Sequence, residues 1–232
     1  MSRNAHLALT ALLLLVPAPS IGAWMAFHGA PGPVGQAAYV VAKAWILALP
    51  LLWLLRVEKG RPGLSPLAPE LRRAGIVTGL AFGLLLSGAV LLVWHLRGAE
   101  WIDRDRLRNA LVAAGVTTPL RYAALGVYLC TLNAAGEEYV WRWFVTARCE
   151  TLLGPRPAVA ASALFFAAHH AIVFMAQFGT KVGLLAALAV FLAGGAWSWC
   201  YLRFRSVWPG WISHAMVDVT GLALGWHLLF GP

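Results

Sequence analysis

The sequence predicts an all-α fold: a polytopic transmembrane helix bundle of about seven spans, with six to eight as the range. Three observations carry this reading. The 232 residues are 60% hydrophobic and only 12% charged, whereas a soluble domain carries about 25% charged residues. Mean hydropathy is +0.72. Several stretches run roughly 20 residues with almost no charge, the length that crosses a hydrocarbon core.

The spans fall in order at approximately 5–27, 36–55, 74–96, 120–147, 157–177, 182–201 and 207–230. The first rests on the apolar run LALTALLLLV (7–16), continued through WMAF (24–27), with Pro17 and Pro19 expected to kink it. Arg3, that run and the small residues SIGA (20–23) also suit a cleaved signal peptide. The apolar continuation favours a retained span. The second span ends at the charged stretch RVEKGR (56–61) and the third begins at LRRAG (71–75). Between the third and fourth, WIDRDRLRNALVAAG (101–115) reads as an amphipathic interfacial helix. The fourth, fifth and seventh spans each contain ionisable groups, taken up below. Trp24, Trp53, Trp94, Trp101, Trp208 and Trp211 lie near span ends, as an interfacial belt requires.

The net charge of +9 does not point to nucleic acid. The basic residues collect between apolar segments rather than along one stripe, the pattern of loops that meet anionic headgroups. Arg56, Lys59, Arg61, Arg72, Arg73, Arg148, Arg156, Arg203 and Arg205 fall in connections on one side. By the positive-inside rule this sets the N-terminus inside and the C-terminus outside. Arg97, Arg104, Arg106 and Arg108 fall on the opposite side and disagree. Cys130, Cys149 and Cys200 show no ligand spacing and no disulfide framework. The connections are short, so any activity belongs to the bundle itself.

Ionisable groups inside a span usually face the protein interior and mark function. Three clusters qualify. In GEEYVWR (136–142), Glu138 and Arg142 are four apart and can pair on one helical face. Glu137 is turned about 100° away and is left for another partner. One acid would suffice to neutralise the arginine, so the second is informative. In FFAAHH (165–170), Phe166 and His170 are one turn apart and His169 points elsewhere. In SHAMVD (213–218), His214 and Asp218 share a face, where a carboxylate could fix the imidazole tautomer. With the topology above, Glu137, His170 and His214 all lie about 10–20 Å from the same boundary, at 1.5 Å per helical residue. They can converge in one cavity walled by Phe166, Trp141 and Phe144.

Such a set supports amide hydrolysis. A carboxylate beside a histidine activates water, and a second histidine donates to the developing oxyanion. Glu, His and His are also catalytic zinc ligand types, although no HExxH occurs. Ser198 and Ser213 stand in no nucleophile context. A proton-coupled transporter would use the same residue types but tends to show paired halves. A non-catalytic membrane immunity or scaffold protein is the third class considered.

EEYVWR fits EExxxR, FAAHH fits FxxxH and HAMVD fits HxxxN/D. In this order, on separate apolar segments, they resemble the CAAX-processing and bacteriocin-processing (CPBP, or Abi) intramembrane protease family. The resemblance covers roughly residues 120–230. It divides the chain into N-terminal spans (1–118) and a CPBP-like catalytic bundle (119–232) within one integrated domain. It implies that Glu137 acts on water, that His170 assists, and that His214 and Asp218 stabilise the oxyanion. Glu138 and Arg142 would brace the site. Asp218 stands where many members have asparagine; it must then be protonated or orient His214 instead. His169, four residues after Phe165, is the alternative to His170. The family has been described both as metal-dependent and as glutamate-dependent, so the expected cofactor is none, with zinc at the Glu/His site as the alternative. Expected partners are membrane lipid and a membrane-embedded or lipid-associated peptide or protein. Expected location is the cell membrane, as a multi-pass protein of a bacterial inner membrane, the bacterial source being suggested by residue usage rich in Ala, Gly, Arg and Pro.

Overall fold

A computed structural model describes residues 2–63 and 65–231. Among the described residues there is no strand. Among the described residues the chain forms seven long rods and a short helix, with a further helical turn (Ala99–Trp101) after the third rod: α1 (Arg3–Gly29), α2 (Pro33–Arg56), α3 (Pro69–Gly98), the short α4 (Arg104–Ala113), α5 (119–153), α6 (Pro155–Phe178), α7 (Thr180–Phe204) and α8 (Trp208–Phe230). Each rod overlaps one of the expected spans. Five of them (α1, α2, α3, α6 and α7) are long and apolar enough to cross a membrane. The other two, α5 and α8, carry the buried acids and His214, whose polarity lowers their hydropathy. Outward-facing leucines such as Leu13, Leu84, Leu120 and Leu132 are 66–79% exposed. Rows of this kind suit lipid rather than water. This is a membrane protein with an all-α bundle fold.

Two of the turns that stack the rods are single glycines. Gly154 alone joins α5 to α6, and Gly179 alone joins α6 to α7, with φ of +80° and +83°. Only glycine takes that conformation without steric cost. Pro155 then opens α6, where its missing N–H is harmless. Helices α3 and α8 pack through Gly75, Gly79 and Gly83, one small residue per turn. Small residues let backbones approach closely in membranes. A Cβ on Gly79 would stand 2.7 Å from the Pro209 carbonyl oxygen.

The core runs through α1, α2, α5, α6 and α7. It includes Leu15, Ile46, Trp53, Val140, Trp141, Phe144, Val145, Phe166 and Trp197. One end of the bundle gathers Glu58, Ser65 and the turns near 150 and 205. Arg148 pairs with Glu58 at 2.5 Å, and Arg205 grips both Glu150 oxygens at 2.6 and 2.8 Å. The opposite end gathers α4 with the C-termini of α6 and α8. Arg106 donates to the carbonyls of Ala176 (2.8 Å) and Met175 (3.1 Å), and Arg108 to that of Leu229 (3.5 Å). These contacts give partners at helix ends to two of the four arginines that disagreed with the charge rule, Arg106 and Arg108. Arg106 and Arg108 reach carbonyls in the last turns of α6 and α8, where cations complement the helix dipole.

Candidate active site

Glu137 and Glu138 end one regular turn, Ala134–Glu138, between two wider-wound segments, Leu129–Asn133 and Tyr139–Thr146. Wide turns with i→i+5 bonding are rare and concentrate at functional sites. Here the winding opens the Trp141 carbonyl to the hydroxyls of Thr146 (2.8 Å) and Ser162 (3.2 Å). Thr146 also bonds Ser162 and Ser198. This buried hydroxyl group ties α5 to α6 and α7.

Glu138 and Arg142 form the expected pair, with both side chains fully buried. Arg142 Nε donates to Glu138 Oε1 at 3.3 Å. The guanidinium also donates from Nη1 to Ser198 at 3.1 Å and lies over the rings of Phe166 and Trp197, 4.6 and 5.5 Å from their centroids. The same Glu138 Oε1 accepts from His214 Nδ1 at 3.1 Å. The second oxygen, Oε2, rests against Gly210 on α8, where any Cβ would overlap it.

His214 is therefore held by Glu138, not by Asp218. A carboxylate only accepts, so Nδ1 carries a hydrogen and Nε2 is the outward nitrogen. It faces Glu137 Oε2 at 3.7 Å and Asp218 Oδ2 at 3.8 Å, both beyond direct hydrogen-bond length. The ring stacks on Trp197, 4.2 Å between centroids and 14° from parallel, and Trp197 is pinned by donating to Ser213 at 3.0 Å. Asp218 shares the face of His214 as its spacing required.

Glu137 is nearly buried. Its Oε1 accepts from the Asn133 amide at 3.0 Å and from Lys43 Nζ at 3.3 Å; its Oε2 looks toward His214. One ligand atom each from Glu137 on α5 and from His169 and His170 on α6 lie within 4.8 Å of one another. Both histidines thus reach Glu137, contrary to the expectation that His169 turns away. Their rings are 4.1 Å apart, and His169 stacks on Trp141 at 5.2 Å. His170 Nδ1 meets the Phe166 carbonyl at 2.9 Å. A carbonyl also only accepts, so Nδ1 carries the hydrogen and Nε2 keeps its lone pair. Phe166 touches the rings of His169, His170 and His214. Trp141 and Phe166 wall the site as expected, whereas Phe144 lies beneath the Arg148 guanidinium, 3.9 Å from its ring centroid.

Sequence reasoning missed Lys43, Asn133 and Trp197. Lys43 carried a usable signal, a lone cation within an apolar span. Asn133 stands one turn before Glu137, at hydrogen-bonding spacing. Nothing local marked Trp197 among twelve tryptophans.

The arrangement gathers an acid, a histidine with a free lone pair, and a second histidine held by a buried carboxylate. It can remove a proton from water and donate to an oxygen nearby. Residues 119–220, which span α5, α6, α7 and the first half of α8, match the family model described as type II CAAX prenyl endopeptidase Rce1-like. Comparisons with curated proteins and with solved structures give no match. The matched segment holds all three motifs and supports a CAAX-type intramembrane protease. Residues 119–220 are thus similar to the CAAX protease (CPBP) family that their motifs resemble.

Proposed function

We propose that the protein is an endopeptidase that hydrolyses one peptide bond in a membrane-associated peptide or a C-terminal anchor segment, using water activated by Glu137. The observation that carries this is the meeting of Glu137, His170 and His214, from three helices, in one cluster where Glu137 and His214 are buried and His170 half-buried.

In this reading, Glu137 Oε2 takes a proton from water as the oxygen attacks the scissile carbonyl carbon. His170 Nε2 accepts a hydrogen bond from the same water and orients it. The tetrahedral oxyanion receives a hydrogen bond from His214 Nε2, with the imidazolium form balanced by Glu138. Asp218 in its protonated form donates to the same oxygen. Protonated Glu137 then gives its proton to the leaving amine, so that water and amide become acid and amine. One oxyanion donor contributes about 10²–10³ in rate.

Zinc is the alternative cofactor. Glu137, His169 and His170 have the right donor types. Their charge environment does not fit, because the Lys43 ammonium already sits 3.3 Å from the Glu137 carboxylate and repels a divalent cation there. No step is routed through a metal. Activity of the purified protein should survive a strong chelator; loss with chelator and recovery with zinc would reverse the assignment.

An apolar groove of about 300 Å³ takes Ala135 and Tyr139 from either side of the glutamate pair, although none of the site's acids or histidines lines it. It is lined by Leu51, Leu54, Tyr139, Trp143, Trp208 and Trp211, among others, and suits an apolar segment entering from the membrane. A bacterial inner membrane is the proposed location. In a deletion strain, proteins with uncleaved C-terminal anchors should accumulate. An unchanged membrane proteome would count against this substrate class.

A further inference from the structure

We propose that Lys43 is a built-in cation that positions Glu137 and keeps the Glu137–His169–His170 cluster from taking a divalent metal. The positioning role rests on the reading of Glu137 as the base; the exclusion of metal does not.

Lys43 lies on α2, outside the segment 119–220 that matches the protease family. It is the one charged side chain between Pro33 and Leu55. A cation in an apolar helix is costly unless it is paired. Its partner is Glu137, 94 residues away, at 3.3 Å, with side-chain exposures of 27% and 8%. An ammonium carries donors only, so it fixes Oε1 together with Asn133 and leaves Oε2 for His214 and water. This contact sets the rotation of the carboxylate that the chemistry needs.

The same contact governs metal binding. Lys43 and His169 line one small cleft with Pro19, Tyr39, Ala42 and Ile46. An ion shared by Glu137, His169 and His170 would sit within a few ångströms of the ammonium. Repulsion between like charges is strong where water does not screen them. A carboxylate already neutralised by lysine also has less charge to offer a metal. Lys43 supplies the positive charge that a zinc ion supplies in other hydrolases.

The test compares wild type, Lys43→Met, Lys43→Arg and Lys43→Met/His170→Ala, each purified in detergent and dialysed against buffered zinc(II). Bound zinc is counted by atomic emission. Wild type and Lys43→Arg should hold less than about a tenth of a zinc per chain, because the cation remains. Lys43→Met should hold about one, and the added His170→Ala should remove it. Lys43→Gln, which keeps a donor without charge, gives the same reading should Lys43→Met not fold. In the peptidase assay, Lys43→Met should lower kcat about 10-fold or more with KM unchanged, and Lys43→Arg should restore most of it. Stoichiometric zinc on wild type that His170→Ala removes would overturn the proposal. So would uncharged variants that bind no more zinc than wild type. The zinc count needs no activity, so it separates this proposal from failure of the protease reading.

Discussion

Replacing Glu138 with glutamine keeps the side-chain shape and deletes one charge at the centre of the bundle. Arg142 is fully buried, and Glu138 is the anion it meets. Its other hydrogen-bond partner, Ser198, is neutral, and Nη2 has no hydrogen-bond partner among the described residues. The variant therefore leaves a guanidinium in the interior without a counter-charge. Breaking a buried pair from one side costs about 3–5 kcal/mol. The glutamine oxygen can still accept from Nε, which returns about 1 kcal/mol. The net expectation is a loss of about 2–4 kcal/mol. Removing both charges, as Glu138→Gln/Arg142→Met, should recover about 2 kcal/mol of it, since no ion is then stranded. The assay is unfolding by sodium dodecyl sulfate titration in mixed micelles, followed by tryptophan fluorescence. A single variant within about 0.5 kcal/mol of wild type, or a double variant worse than the two singles combined, would refute the reasoning.

Gly210→Ala should push Glu138 away from His214, because the new Cβ overlaps Oε2; overpacking of this kind costs about 1–3 kcal/mol, and the same unfolding titration together with kcat measures it. His170→Ala should lower kcat by about 10²-fold, as for a lost water-orienting base. His169→Ala should cost less in rate and more in stability, since its ring is stacked on Trp141; parallel peptidase and unfolding measurements separate the two, and the reverse order would exchange their roles.

The helices were legible because their signals are local. Apolar runs of span length, ended by glycine, proline or arginine, give seven rods in the expected places. The Glu138–Arg142 pair was also legible, since four residues on one helix dictate it. Other features depended on distant chain. Glu138 rather than Asp218 holds His214 because α8 passes α5 at Gly210, a crossing that no local spacing encodes. The facing of His169 was misjudged because both histidines lie beside one carboxylate whose position is set by another helix. Lys43 was visible as an isolated charge, but its target lay in a motif 94 residues away. The wide winding of α5 had no sequence signature, and it altered the neighbourhood around Trp141 that a regular 100° step would predict.

The central claim is that the Glu137 carboxylate removes the proton from the attacking water. Its most direct test is single-turnover cleavage of a membrane-anchored peptide by wild type and Glu137→Gln in liposomes, with folding of both checked by the unfolding titration. The account predicts cleavage by wild type and at least about a 10²-fold slower rate in the variant. A folded Glu137→Gln protein that cleaves at the wild-type rate would contradict it.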